Sequence, residues 1–93
     1  MIYLGVIVLE EDIFIPKEDI LEINLHDMQE LEAEYYLDKF ITTAPENIKQ
    51  INVIHGYKKG QVLLNMVRNK FKHPRIKRKV IPFNKGITII YLN

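Results

Sequence analysis

The chain has 93 residues, enough for one small domain with a single core. With 47% hydrophobic residues it is expected to fold, and the lack of cysteine excludes a disulfide scaffold, a thiolate zinc site and a cysteine nucleophile. Its net charge of +1 conceals a polarity: residues 1–46 hold all 12 acidic side chains and two lysines (−10), and residues 47–93 hold 11 Lys or Arg and no acid (+11).

Residues 1–20 read as a leader. Its apolar run Ile2–Leu9 is too short to span a bilayer. No basic residue precedes that run and Glu10-Glu11-Asp12 follow it, so neither a signal peptide nor a membrane segment is expected, and a cytoplasmic protein is. Ile2–Leu9 and Ile13–Ile15 suit an extra edge strand, a cover for an open sheet face, or pairing with another copy in a homodimer. The acidic triplet reads as solvated rather than as a metal site.

The domain proper is expected over residues 21–93. Leu21, Ile23 and Leu25 alternate with Glu22, Asn24 and His26, the period of a half-buried strand. Asp27 offers a helix N-cap with Glu30 three residues on. The helix is predicted over Met28–Thr42, with Leu31, Tyr35, Leu37, Phe40 and Ile41 as its apolar stripe. Tyr35, Tyr36 and Tyr91 are assigned to core or sheet packing. Pro45 and Asn47 break the helix.

Lys49–Ile54 is predicted as a second strand, Gly56–Gly60 as a turn, and Gln61–Lys72 as a second helix buried through Leu63, Met66, Val67 and Phe71. Pro74 ends it, because the residue before a proline is pushed out of the α region. Arg75–Phe83 and Ile87–Leu92 form a hairpin around Asn84-Lys85-Gly86. The order is β-α-β-α-β-β, an α/β fold built as an α+β-like two-layer sandwich. Its mixed sheet would carry both helices on one face.

His26 and His55 stand where the first two strands stop and helices begin, the end of an α/β sheet at which ligands bind. In the turn from His55, Gly56 and Gly60 permit positive φ and close backbone approach, Lys58 and Lys59 add charge, and Tyr57 offers a ring to an exposed base. That combination suits a phosphate; an ordinary connection with two solvated lysines is the plainer alternative. Glu22, Asn24 and His26 share a strand face, which is either a weak divalent-cation site or simply a polar solvent-facing side. His73, before Pro74, reads as a cap that complements the helix dipole. Lys70, Lys72, Arg75, Lys77, Arg78 and Lys79 fall within ten residues, a density that fits a phosphate-backbone footprint. The same charges could instead balance the acidic first helix within the molecule.

The motifs Ile23-Asn24-Leu25-His26-Asp27, Ile54-His55-Gly56, His73-Pro74-Arg75-Ile76-Lys77 and Thr88-Ile89-Ile90-Tyr91-Leu92, in this order, resemble the Smr (small MutS-related) domain over residues 21–93. The resemblance implies a two-layer sandwich similar to the C-terminal domain of the third bacterial translation initiation factor. It also implies binding of DNA or RNA and, in several members, metal-aided nicking of branched or flapped nucleic acid. Nothing in the predicted strands looks like a base-reading element, so recognition is expected to follow branched or otherwise structured shape more than sequence. His26 and His55 would then be the catalytic residues, with Mg²⁺ or Mn²⁺ as the ion. Gly56, Tyr57, Lys58, Lys59, Gly60 and the Lys70–Lys79 segment would hold phosphates.

Two departures bear on the chemistry. The family's first motif reads L-D-L-H-G, where this chain has Asn24 for the aspartate and Asp27 for the glycine. The second reads H-G-x-G-x-G, where Lys58 replaces the middle glycine. The binding scaffold is therefore expected to carry over better than hydrolysis, and no metal ligand set is assigned. The alternative is a non-catalytic module whose basic half docks on an acidic protein surface or on the ribosome.

Overall fold

The structure, a computed structural model, describes residues 15–58 and 60–93. Expectations for residues 1–14, including an added strand and the acidic triplet, lie outside the described residues, as does Lys59. After a single 3₁₀ turn at Lys17–Asp19, the elements are β1 (Ile20–Asn24), α1 (Glu30–Thr43), β2 (Gln50–Ile54), α2 (Val62–Asn65, continuing as a wider helical turn over Met66–Lys70), β3 (Ile76–Val80) and β4 (Ile87–Leu92). The sheet order is β1-β2-β4-β3. β1 and β2 are parallel, and β4 is antiparallel to both β2 and β3. The mixed α/β fold is therefore the expected one.

One face of the sheet supplies the core. Ile23, Ile51, Val53, Ile90 and Leu92 are buried there with Ala33, Leu37 and Ile41 of α1 and Met66, Val67 and Phe71 of the second helical segment. The period-two burial of β2 and β4 is what their alternating β-branched residues dictate. Both helices thus pack on one side. The other side carries two apolar neighbours at the sheet's end, Ile54 and Ile87, which are paired in register.

Several local expectations are corrected. The stripe of α1 is Ala33-Leu37-Ile41, spaced by four; Leu31 and Tyr35 are 80% and 66% exposed, and Tyr36 is also exposed. Leu31 stands two residues before Ala33, roughly 200° around the helix, so both cannot face the core. The helix starts at Glu30 rather than Met28, and its cap position is Gln29, which makes no side-chain capping bond. Asp27 is not at the cap position: it stands two residues before Gln29, with a left-handed φ of 73°.

The second helix begins at Val62, since Gln61 has a non-helical φ of −119°. Its last turn is widened: the Phe71 N–H donates to the Met66 carbonyl, five residues back, and Phe71 is already extended. β3 stops at Val80 instead of Phe83, because Pro82 has no N–H to give a ladder. Ile81–Gly86 is consequently a longer loop, tightened where the Gly86 N–H donates to Asn84 Oδ1 at 2.8 Å.

Candidate functional site

The strand ends of β1 and β2 place His26 and His55 on one cleft of about 360 Å³, lined also by Asp27, Glu30, Tyr57 and Gly60. The two imidazoles differ in kind. His55 is buried, and Thr88 is its buried polar neighbour. Its Nδ1 lies 2.8 Å from the Gly56 carbonyl oxygen, which can only accept, so Nδ1 carries the hydrogen. Its Nε2 then accepts from the Thr88 hydroxyl at 2.8 Å, and Thr88 Oγ1 accepts from Arg68 Nε at 2.8 Å. Arg68 also donates to the carbonyls of Lys85 and Ile87. Expected from sequence as a catalytic group, His55 sits in a closed hydrogen-bond network with Gly56, Thr88 and Arg68. Both ring nitrogens are spent on holding the turn.

Burial is the main reason that the His55 imidazole sits below its ordinary pKa of 6.5. Its bond to the Gly56 carbonyl opposes that shift, and the nearby Arg68 charge adds to it. A folded-state pKa below the unfolded one means that this contribution to stability is intact above pH 6.5. It is lost as the pH falls from there through the depressed value. An NMR titration of the imidazole carbons should place the His55 midpoint below pH 6.5. A midpoint at or above 6.5 would contradict the burial of this imidazole.

His26 is the accessible imidazole, with about half of its side-chain surface exposed. Its Nδ1 lies 3.1 Å from Asp27 Oδ2. A carboxylate only accepts, so the hydrogen sits on Nδ1, and in the neutral ring Nε2 is left with its lone pair. The backbone beneath is fixed by Asn24, whose Oδ1 accepts the His26 N–H at 2.8 Å, and by the Met28 N–H, which donates to the Leu25 carbonyl at 3.0 Å. Asp27 occupies the turn position that needs positive φ, the place of the glycine in the family motif. Position 24 thus offers an amide, and a carboxylate lies instead in the turn after β1, against the imidazole. The sequence signal for it is Asp27 itself, which reads equally well as a helix cap.

His26 also packs on Gly56, which has φ of 75°; any side chain there would run into the imidazole. The N–H groups of His55 and Gly56 both donate to the Gly86 carbonyl, at 2.9 and 3.0 Å, which joins the His55–Gly60 turn to the β3–β4 loop. Lys58 and Lys85 stand exposed on these two joined loops. Lys85 carries no sequence signal of its own, since only the fold brings its loop to the turn.

The Lys70–Lys79 segment does not form one surface. The Arg75 guanidinium donates to the carbonyls of Ile41 and Ala44 at 2.8 and 2.7 Å, closing the C-terminus of α1. Lys79 Nζ donates to the carbonyls of Val67 and Phe71 at 2.7 and 2.6 Å, closing the widened helix. Expected as phosphate contacts, these two cations are already committed to main-chain oxygens. Lys70 lies 3.5 Å from Glu30, and Lys72 is exposed. Arg78 lies over the Tyr91 ring at 4.5 Å. Lys77 and Arg78 are at the Leu92 end of β4, about 17 Å along the strand from Ile87 and the turn. His73 does not cap its own helix either: its Nδ1 accepts the Arg75 N–H and its Nε2 meets Thr42 Oγ1 on α1 at 2.9 Å.

The donor set does not fit Mg²⁺ or Mn²⁺ held by protein alone. Among the described residues no three His, Asp or Glu side chains converge, Asn24 Oδ1 is engaged by the main chain, and such ions want several oxygen ligands. Among the described residues no helix is long and apolar enough to cross a membrane.

Comparison with known proteins gives a concordant result. The Smr domain family model matches residues 23–93. Among solved structures, the crystal structure of the Smr domain of Thermus thermophilus MutS2 is similar, with a TM-score of 0.69 at 19% identity, over 77% of this chain and 96% of that one. A search of the curated proteins returns no match.

Proposed function

The chain belongs to the Smr domain family, and on that premise we propose that it binds the phosphate backbone of DNA or RNA at the end of the sheet where β1 and β2 stop. The observation that carries this reading is the pair of joined loops there. Gly56 and Gly60 are both left-handed, and Lys58 and Lys85 are exposed beside them. Glycine backbone accepts close approach by an oxyanion, and the two cations supply the attraction that dominates binding to phosphates. Among the described residues no strand offers an array of side chains suited to reading base pairs, so recognition follows the shape of a branched or structured nucleic acid.

The test is the salt dependence of binding, measured by fluorescence anisotropy on a branched DNA. Converting Lys58 and Lys85 together to Glu should flatten the plot of log affinity against log salt by about 1.8, which is about 0.9 for each phosphate left without its lysine. An unchanged slope would take these loops out of the interface.

A second reading, phosphodiester hydrolysis, is favoured by the Asp27–His26 pair. With Nδ1–H turned to the carboxylate, Nε2 is the nitrogen able to take a proton from an attacking water. His55 would act by holding the turn against which that water and the phosphate are placed.

A further inference from the structure

His26 also lines a second pocket of about 360 Å³. It is lined by Ile54 and Ile87, register partners on the sheet face opposite the helices. Its walls include His26, Tyr57 and Asn84, and Lys58 stands among its lining residues. The two pockets share His26 and Tyr57 but differ in electrostatics. Among the described residues, the first has Asp27 and Glu30 in its lining, whereas the second has a lysine and no carboxylate.

We infer that this second pocket seats one unpaired nucleobase, so that the strand held at the turn is single-stranded at that point. This rests on the nucleic-acid reading above and specifies its substrate. A lining that combines two aliphatic side chains with two aromatic rings suits a flat, apolar-faced ring, and Tyr57, 40% exposed, is the ring offered for stacking. Asn84 Oδ1 is held by the Gly86 N–H, which orients the amide and leaves its Nδ2 hydrogens for acceptors on a base edge. Lys58 lies beside Tyr57 in sequence, so the phosphate attached to a seated base meets a cation at once. A paired base inside a duplex cannot enter without leaving its stack. The pocket therefore selects ends, gaps, flaps and junctions.

The experiment compares two oligonucleotides of equal length and charge, one of thymidines and one of abasic units, binding to the full chain in low salt. The parent protein should bind the thymidine strand about tenfold more tightly, the size of one good stacking contact. Tyr57→Ala should erase that preference with the salt slope unchanged, and Tyr57→Phe should keep it. Equal affinity of the parent for both strands would overturn the base pocket and leave the phosphate reading standing. A preference that survives Tyr57→Ala would overturn it too. Failure to bind either strand or a branched DNA would remove the nucleic-acid reading itself.

Discussion

Lys79→Ala is expected to lower the unfolding midpoint by about 10 °C and to leave nucleic-acid affinity per folded molecule unchanged. The ammonium closes the end of the widened helix through two short bonds, to Val67 and Phe71, with the Arg68 carbonyl at 3.5 Å. Hydrogen bonds from a charged donor contribute roughly 1.5–3 kcal/mol each. Against this stands the entropy of fixing a lysine side chain, as much as about 2 kcal/mol. A net loss of about 2 kcal/mol follows, and in a domain of this size each kcal/mol moves the midpoint by about 4–8 °C. Lys79→Met, which restores the aliphatic stem but not the donor, should recover only part of the loss. Thermal unfolding and anisotropy on the same samples decide the matter. An unshifted midpoint together with weakened binding would return Lys79 to the interface.

The reason Lys79 resembles a phosphate ligand in the sequence shows what a linear charge density conveys. Successive residues of a strand face opposite ways, so Lys79, paired with the buried Ile90, turns to the helices. Arg78, paired with Tyr91, turns to the other face. Six cations within ten residues thus divide among helix ends, an ion pair and two faces of a sheet. The strands themselves were legible because Ile51-Val53 and Thr88-Ile90-Leu92 alternate cleanly over a buried face. So was the placement of both histidines, since strand ends and glycines mark the turns. The left-handed Asp27, by contrast, has no local signature distinct from an N-cap, and only the turn it closes tells which way its carboxylate points. The widened turn at Met66–Lys70 is likewise invisible to a 3.6-residue pattern. It keeps Met66, Val67 and Phe71 on the buried side while shifting the carbonyls that Lys79 must reach.

His26→Gln is expected to abolish whatever nicking of supercoiled plasmid the chain performs, a fall of at least about a hundredfold, with binding to branched DNA retained. Glutamine preserves size and polarity at this accessible position but offers no base near neutral pH. Asp27→Asn should lower the same rate by a smaller factor, because the amide still accepts the Nδ1 hydrogen but no longer stabilises the imidazolium that forms as Nε2 takes up a proton. Asn24→Asp restores the family's acidic residue, yet the oxygen at that position already accepts the His26 N–H at 2.8 Å, and a carboxylate would do the same. With Asp27 placed against the imidazole, that substitution should change the rate little. The series separates two origins for the acid. If Asn24→Asp raises nicking strongly while Asp27→Asn leaves it untouched, the carboxylate belongs at position 24 and the Asp27–His26 pair is only a feature of the turn. If Asp27→Asn slows the reaction and Asn24→Asp does not speed it, the chain has moved its acid from the strand to the turn. Absence of nicking in the parent and in Asn24→Asp alike would leave a domain that binds and does not cut.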